Sequence, residues 1–336
     1  MQAYTIKRYS KQDKFQSSDT PKPQISANEV LVKIHASSLN QLDLKLKSGE
    51  FKLLLPYKFP LVLGHDFAGI VTEVGSNVLA FKIGDAVFGR PSTFHIGTFA
   101  EYIAVHTSDI ALKPKNISFE EAASIPLVGL TAWQALVEMA KLKKGQKVFI
   151  QAGSGGVGTI AIQLAKHLES SVATTTSAAN TDLVKRLGAD VVIDYKSQDF
   201  SAVLTDYDVI LNSQDEESLL KSLRILHQGG KAISISGPPD PAFANALHLP
   251  WFLKIALYFL SRKVITTAKK LGVDYAFLFM RANGNQLTEI AKLIENGAIQ
   301  PVVDRIYPFD QLNEAAAYVS SGRAKGKVVI NHESFL

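Results

Sequence analysis

Cysteine is absent from all 336 residues of this chain. Disulfide bonds, zinc sites built on thiolates and cysteine nucleophiles are therefore excluded. The chain also has no long run of one charge, because its 36 lysines and arginines are scattered among 31 acidic residues and leave a net charge of only +5. This distribution gives no reason to expect a nucleic-acid partner.

Long hydrophobic runs are missing as well. The most apolar stretch, Leu247 to Leu260, has 14 residues and contains Pro250 and Lys254, whereas a membrane-spanning helix needs about 20 apolar residues. We expect a buried or pocket-covering helix here, with peripheral membrane contact as the alternative. The N-terminus alternates like a strand and shows no signal-peptide core, so a cytoplasmic location is predicted.

The chain is long enough, at 336 residues, for two domains that each have a hydrophobic core. Its 46% hydrophobic and 20% charged residues are ordinary for a globular protein. Many short strands are predicted in residues 1–124, from Glu29–His35 to Thr98–Val105, which favours a mostly-β domain. A helical period begins at Phe119, where Ser118 and Glu121 form a predicted capping box. Residues 125–282 then alternate strand and helix, and residues 283–336 are expected to return to the first domain.

The centre of the second domain is a strand, a glycine-rich turn, a helix and a second strand between Lys147 and Ser177. Gly153, Gly155 and Gly158 give the pattern G-x-G-x-x-G at the turn. These glycines allow a tight turn, a close approach of a pyrophosphate and close packing of helix on strand. The unit therefore predicts a dinucleotide site in a doubly wound parallel sheet.

The end of the second strand indicates which dinucleotide is bound. NAD-dependent enzymes usually place a carboxylate there for the ribose 2′-hydroxyl. This chain has the hydroxyl side chains of Thr174 to Ser177, and its first carboxylate after them is Asp182. Hydroxyl groups can donate to a 2′-phosphate that a carboxylate would repel, so NADPH is favoured, although threonine also simply suits strands.

Several features of the later sequence complete the pattern. A helix around Ser218–Leu226 is predicted to end at Gly229-Gly230. The region Gly237 to Gly272 interrupts the alternation and is expected to shape a substrate entrance or flank a dimer contact. Tyr275–Met280 predicts a last apolar strand at a sheet edge, which makes a homodimer plausible.

Ordered motifs along nearly the whole chain resemble the medium-chain dehydrogenase/reductase superfamily, and within it the zinc-free quinone and enone reductases. The motifs are Asn40-Gln41-Leu42-Asp43, Gly64-His65-Asp66-Phe67-Ala68-Gly69, Gly84-Asp85-Ala86-Val87, Gly129-Leu130-Thr131-Ala132, the glycine loop, Leu187-Gly188-Ala189-Asp190 and Gly326-Lys327-Val328-Val329. The resemblance implies a GroES-like, mostly-β catalytic domain joined to a Rossmann domain.

The zinc alcohol dehydrogenases of this superfamily hold their catalytic metal with two cysteines and a histidine. The matching places here are occupied by Asn40, His65 and Leu127, so one ligand of three remains and no metal is predicted. Without a Lewis acid, hydride addition to an electron-poor acceptor is easier than alcohol oxidation. The resemblance therefore implies NADPH-dependent reduction of quinones or of the C=C bond of α,β-unsaturated carbonyls, with small apolar substrates.

Three residues of the first motif are candidate catalytic groups. Asn40 is expected to donate its amide N–H to a developing oxyanion. Lys45 is a second candidate donor, and the equally good alternative is that Lys45 is a solvated surface lysine. Asp43 is interpreted as a hydrogen-bond acceptor that fixes the loop. His65 is expected to be a packed histidine, and His95 is a weaker candidate.

The resemblance also implies a set of cofactor contacts. Ser177 and Tyr195 occupy places where relatives meet the 2′-phosphate, and Asn180 stands where several relatives have lysine. Thr131 occupies a place near the nicotinamide or packs between domains. The full expected set is Thr131, Gly153, Ser154, Gly155, Gly156, Val157, Gly158, Thr175, Ser177, Asn180 and Tyr195. The alternative function is an NADPH-binding structural, regulatory or RNA-binding protein with little turnover.

Overall fold

The structure is a computed structural model that describes residues 1–247 and 249–335. Contacts divide the chain into two compact units. The first contains Met1–Leu130 and Arg281–Leu336, and the second contains Thr131–Met280. The predicted fold class is confirmed, because the first unit is mostly β and the second is built on a parallel sheet.

The N-terminal segment forms a mixed set of short strands and three helices. Its strands are β1 (Gln2–Ile6), β2 (Gln16–Asp19), β3 (Glu29–Leu39), β4 (Leu61–Val62), β5 (Asp66–Val74), β6 (Ala86–Gly89), β7 (Tyr102–His106) and β8 (Ile110–Leu112). Its helices are α1 (Gln41–Ser48), α2 (Phe119–Ala123) and α3 (Pro126–Trp133), which runs on into a π-helical turn at Gln134–Met139. The predicted capping box of Ser118 and Glu121 begins α2.

The second unit alternates strand and helix. Its strands are β9 (Lys147–Ile150), β10 (Ser171–Thr176), β11 (Val191–Asp194), β12 (Tyr207–Asn212), β13 (Leu226–Ser234) and β14 (Asp274–Phe277). Its helices are α4 (Gly156–His167), α5 (Thr181–Arg186), α6 (Phe200–Val203), α7 (Glu216–Leu223), α8 (Pro241–Ala246) and α9 (Trp251–Leu271). The strand order β11-β10-β9-β12-β13-β14 is the doubly wound order, with its switch point beside β9.

The C-terminal segment returns to the first unit through α10 (Gly284–Glu295), β15 (Val303–Pro308), α11 (Leu312–Ser320) and β16 (Lys327–Asn331). Strand β16 pairs antiparallel with the second half of β3, placing Val328 opposite Leu39. The predicted strand Glu29–His35 therefore continues to Leu39, because its last residues gain a partner from the far end of the chain. This pairing brings Lys327 beside Asn40.

The core of the first unit lies on the pleated face of β3. Val30, Val32 and Ile34 alternate along the strand and are buried with apolar residues of β5, β6, β7 and β8. Their period of 2 places these three side chains on one face of the sheet, and Leu31 on the other face is buried as well. The predicted strand at Thr98–Val105 begins later, at Tyr102, since the Phe99 N–H instead bonds the Leu63 carbonyl outside the ladder.

Two sequence predictions in the second unit are wrong. Helix α7 ends at Leu223, and Gly229-Gly230 lie inside strand β13. The register between β12 and β13 steps from Tyr207 opposite Leu226 to Val209 opposite Lys231, so the strand bulges at Gly229, whose φ of 85° suits glycine.

The second error concerns the apolar stretch Leu247 to Leu260, of which residue 248 lies outside the described residues. From Trp251 onwards it begins α9, but the outward side of this half of the helix is exposed, with Trp251 73% and Phe259 63% accessible. Burial of this half of the helix was therefore predicted wrongly, whereas the alternative that the helix covers a pocket stays a prediction. Its buried residues are Ser261, Val264 and Ala268.

Candidate active site and cofactor loop

A buried polar cluster lies where β3 ends and α1 begins. The Asp66 Oδ2 accepts hydrogen bonds from Ser38 Oγ at 2.8 Å, from Asn40 Nδ2 at 2.8 Å and from Lys327 Nζ at 3.1 Å. Its Oδ1 accepts the Leu127 N–H at 2.7 Å. Asp66 is fully buried, so these donors replace the water that the carboxylate has lost.

The orientation of the Asn40 amide follows from this cluster. Lys327 Nζ donates to Asn40 Oδ1 and also to the Leu39 carbonyl at 3.1 Å. The amide oxygen thus faces an ammonium group and the amide nitrogen faces a carboxylate. The flipped amide would place like partners against each other, so this orientation is strongly preferred. Asp66 accepts a hydrogen bond from one of the two N–H groups of Nδ2, and the second N–H has no hydrogen-bond partner among the described residues.

Asp43 holds the backbone of Asn40. Its Oδ2 accepts the Asn40 N–H at 2.8 Å, in the first turn of α1, and its Oδ1 lies 2.6 Å from His65 Nδ1. Asp43 is fully buried and His65 is 1% exposed. The carboxylate therefore fixes the helix start under the Asn40 side chain, and the histidine is packed against it.

Lys45 and His95 lie apart from this cluster. Lys45 Nζ is 3.4 Å from a Glu50 carboxylate oxygen, and 43% of its side chain is exposed. His95 Nδ1 is 3.0 Å from Ser92 Oγ. Among the described residues, neither side chain hydrogen-bonds to Asn40, Asp66 or Lys327.

Sequence reasoning missed Arg90, which follows β6 and is 2% exposed. Its Nε finds no hydrogen-bond partner among the described residues, and its two terminal nitrogens reach only Thr93 Oγ1, at 3.4 and 3.5 Å. Burial lowers the pKa of Arg90, and the nearby Asp66 carboxylate opposes that shift. No sequence motif includes Arg90, and the sequence does not show that its guanidinium group is buried without a full set of hydrogen bonds.

Tyr57 lies in the same region of the first unit. Burial raises the pKa of its hydroxyl to about 12, although the neighbouring Arg90 cation acts in the opposite direction. The hydroxyl donates to the Thr93 carbonyl at 2.5 Å. Tyr57 and Arg90 therefore both contact Thr93 in the short segment after β6.

In the second unit, the glycine loop connects β9 to α4. A side chain at Gly153 would lie 2.2 Å from Thr174 Oγ1, and one at Gly158 would lie 2.4 Å from the Ala152 carbonyl oxygen. These two glycines are required by close packing within the fold. At Gly155 the nearest atom to an added Cβ is the Ala152 oxygen at 3.3 Å, so the space beside this glycine is open for a ligand.

Hydrogen bonds hold the loop against β10. The Ala152 N–H donates to Thr175 Oγ1 at 3.1 Å, and the Gly153 N–H donates to the Thr175 carbonyl at 2.9 Å. The first residues of α4, Gly156 and Val157, present the helix N-terminus at the same turn. Open space beside a glycine at a helix N-terminus fits a dinucleotide pyrophosphate.

Small polar side chains are hydrogen-bonded to one another at the carboxyl end of β10. Asn180 Nδ2 donates to Ser154 Oγ and to Ser177 Oγ, each at 3.3 Å, and Thr176 Oγ1 bonds Ser154 Oγ at 2.9 Å. Asn180 Oδ1 is buried without a hydrogen-bond partner among the described residues, so the amide has bonding capacity for a ligand.

The other two expected cofactor residues lie elsewhere in the second unit. Tyr195 follows β11 and is 61% exposed. Thr131 lies in α3 and is 4% exposed. Within the described residues, no three histidine and acidic side chains are grouped as a metal ion would need.

Comparison with known proteins identifies the family of this chain. Residues 26–115 match the family described as alcohol dehydrogenase GroES-like domain, and residues 187–330 match the family described as zinc-binding dehydrogenase. The chain is 36% identical over 98% of its length to 2-methylene-furan-3-one reductase of Solanum lycopersicum, covering 79% of that protein.

Two further relatives cover most of the chain. It is 35% identical over 92% of its length to the chloroplastic NADPH-dependent alkenal/one oxidoreductase of Arabidopsis thaliana, covering 73% of that protein. The solved structure of the quinone oxidoreductase from Coxiella burnetii matches with a TM-score of 0.83 and 31% identity over 99% of both chains. The chain therefore belongs to the medium-chain dehydrogenase/reductase family and is an oxidoreductase.

Proposed function

We propose that this chain is an NADPH-dependent reductase that transfers hydride, without zinc, to quinones or to the C=C bond of α,β-unsaturated carbonyls. The observation that carries this proposal is the fixed Asn40 amide, whose oxygen is bonded to Lys327 and whose nitrogen keeps one N–H for a substrate. The names of the tomato and Arabidopsis relatives support the same reaction class. They do not favour the alternative of a structural or RNA-binding protein.

The chemistry follows from that amide. NADPH, when bound, supplies the hydride, and negative charge then develops on the carbonyl oxygen of the acceptor. The second N–H of Asn40 donates to this oxygen. The Lys327 ammonium, bonded to the amide oxygen, draws electron density from the amide and strengthens its N–H as a donor. A proton delivered from water then gives the saturated carbonyl compound, or the hydroquinone when the acceptor is a quinone.

We further propose a division of labour along the chain. Residues 1–124 and 283–336 form the catalytic domain, with Asn40 as the donor, Asp43 as the residue that positions it and Lys45 as the second candidate. Residues 125–282 form the cofactor domain. Its proposed contacts are Thr131, Gly153, Ser154, Gly155, Gly156, Val157, Gly158, Thr175, Ser177, Asn180 and Tyr195.

The preference for NADPH over NADH is supported by the cluster that Ser154 of the glycine loop forms with Ser177 and Asn180 after β10, which contains no carboxylate. Ser177→Asp tests it by placing a negative charge beside the 2′-phosphate. We expect kcat/KM for NADPH to fall at least tenfold while the value for NADH changes little. Ser177→Ala is the matched control and should lower the NADPH value only slightly. Equal losses for both cofactors in Ser177→Asp would contradict the assignment.

A homodimer and a cytoplasmic location are further parts of the proposal. Strand β14 is the last strand of its sheet, and pairing with a second copy would satisfy its outer edge. Light scattering at micromolar concentration tests this, and a monomer would contradict it. Cell fractionation tests the location, which stays a prediction.

The reaction itself is tested with purified, chelator-treated protein. NADPH and NADH oxidation are followed with a quinone, an alkenal, a cyclic enone and a saturated aldehyde. We expect turnover of the first three, faster with NADPH, and none of the aldehyde. Tight NADPH binding without turnover of any acceptor would favour the structural or regulatory alternative.

A further inference from the structure

Helix α9 carries an exposed aromatic surface that the proposed reaction does not use. We use the term aromatic face for the surface formed by five side chains that are each at least 49% exposed, those of Trp251, Phe252, Ile255, Tyr258 and Phe259. With 3.6 residues per turn, these positions lie within about 120° of one another around the helix. The opposite side packs on α7, α8 and β14. Five large apolar side chains on one helical face form a surface suited to a partner.

The charges of α9 are all of one sign. The helix contains Lys254, Arg262, Lys263, Lys269 and Lys270 and no acidic residue. Lys263 pairs with Glu216 at 3.3 Å, and Lys254 bonds Asn245. Arg262, Lys269 and Lys270 form no ion pair with any residue that the structure describes. The partner of this surface is therefore expected to carry negative charge.

The two features share one side of the helix. Arg262 and Lys269 follow Trp251 by 11 and 18 residues, which returns them to within about 20° of its direction. The outward side of α9 is thus aromatic in its first half and cationic in its second half. Trp and Tyr beside Lys and Arg, without acidic residues, are the composition of helices that lie in the interface of a bilayer.

A membrane surface satisfies these features better than a second copy does. Because α9 contains no acidic residue, a pairing of α9 with a second copy of itself would supply no counter-charge for Arg262, Lys269 and Lys270. Anionic headgroups neutralise the same cations while the aromatic side chains enter the boundary of the acyl chains. No helix among residues 1–247 and 249–335 is both long and apolar enough to span a bilayer, so contact in the plane of the surface is the geometry that remains for α9.

We propose that the aromatic face of α9 binds the surface of an anionic lipid bilayer, with the helix axis in the membrane plane. This inference does not depend on the proposed reaction. It assigns to the 238–272 region a role in placing the protein at a membrane.

The test uses the full chain and vesicles of phosphatidylcholine, either alone or with 30% phosphatidylserine. We expect flotation with the anionic vesicles, weaker association with neutral ones, and loss of association in 0.5 M salt. Trp251 fluorescence should shift to shorter wavelength, and lipids brominated in the upper acyl chain should quench it. The double variant Trp251→Ser/Phe259→Ser should bind at least tenfold more weakly.

Matched controls separate a defined surface from general attraction. Leu79→Ser/Ile83→Ser removes two exposed apolar side chains elsewhere, of 97% and 65% exposure, and should bind like the parent. Arg262→Gln/Lys269→Gln should weaken binding on the order of tenfold, whereas Lys14→Gln/Lys82→Gln should have less effect. All variants should keep NADPH binding, which reports that they fold.

Three outcomes would overturn the proposal. The first is no association with anionic vesicles. The second is equal loss of binding in the α9 variants and their controls, which would indicate attraction by net charge alone. The third is a change from dimer to monomer in Trp251→Ser/Phe259→Ser without any lipid binding by the parent, which would make this face an interface between copies.

Discussion

Lys327 Nζ lies 3.1 Å from Asp66 Oδ2, and both side chains are buried, with 5% and 0% exposure. The two residues begin strands β16 and β5, which both flank β3. Their contact joins the C-terminal return of the chain to the start of the candidate active site, and it fixes the amide of Asn40 between them.

Removing Lys327 should therefore destabilise the protein strongly. Lys327→Met leaves the buried Asp66 carboxylate without the ammonium group that is hydrogen-bonded to it, which costs about 3–5 kcal/mol. Urea unfolding should show this loss. Lys22→Met is the matched control, because Lys22 and Glu73 are 2.8 Å apart but 46% and 52% exposed, and such a pair contributes at most about 1 kcal/mol. Similar losses in both variants would contradict the buried-pair interpretation.

Asn40→Ala should affect the chemical step. Loss of one donor to a developing oxyanion lowers kcat by about 10²-fold or more. The KM for NADPH should stay close to that of the parent, since cofactor contacts are assigned to the other domain.

The companion variant for this test is Lys45→Met. Because Lys45 is 43% exposed and ion-paired with Glu50, we expect it to retain kcat within about threefold. A large loss in Lys45→Met with an active Asn40→Ala would assign the donor role to Lys45 instead.

Variants in the glycine loop should separate effects on cofactor binding from effects on folding stability. Gly155→Ala meets only one backbone atom, at 3.3 Å, and its φ of −81° is ordinary for alanine. We expect a thermal midpoint within about 2 °C of the parent and NADPH binding weakened at least tenfold.

Gly158→Ala is the contrasting variant. Its added methyl group would lie 2.4 Å from the Ala152 carbonyl oxygen, and such overpacking costs about 1–3 kcal/mol. We expect calorimetry to show a lower thermal midpoint for Gly158→Ala than for Gly155→Ala. The reverse order would contradict the packing described for these two glycines, and unchanged NADPH binding by Gly155→Ala would contradict the assignment of Gly155 to the pyrophosphate.

His332 should make the protein sensitive to acid. It is fully buried, and burial lowers its pKa from 6.5 to about 3, with His35 acting in the same direction. The His332 side chain is therefore protonated below about pH 6.5 in the unfolded chain, but only below about pH 3 in the folded chain. The contribution of His332 to the free energy of unfolding is fully present above about pH 6.5. Below that pH the free energy of unfolding falls by up to about 1.4 kcal/mol per pH unit.

Urea unfolding between pH 7.5 and 4.5 measures this effect. His332→Gln should reduce the slope of stability against pH, while the exposed His106→Gln should keep it, and His35 is present in both. Equal slopes in the two variants would show that acid sensitivity arises elsewhere.

The geometry of the glycine loop could be predicted from sequence because its signals are local. Strand, glycine turn, helix and second strand all lie within Lys147–Ser177, and each glycine there has a short-range geometric reason. The same kind of signal was misleading at Gly229-Gly230, because glycines suit a bulged strand as well as a helix end.

The buried polar cluster around Asn40 could be predicted only in part. Asn40 and Asp43 were found through their motif, and Asp66 and Lys327 appeared in motifs without a role. Lys327 and Asn40 are 287 positions apart, so their contact depends on the pairing of β16 with β3. A buried lysine looks like any other lysine in a sequence, and the same is true of Arg90.

The most direct test of the account follows the hydride. The chelator-treated protein is given NADPH carrying deuterium at the transferred position of C4, together with a cyclic enone, and the product is analysed by mass spectrometry and NMR. We predict a saturated ketone with one deuterium at the β-carbon, formed at least 10²-fold more slowly by Asn40→Ala. Deuterium on the carbonyl carbon of an alcohol, or no labelled product, would contradict the account.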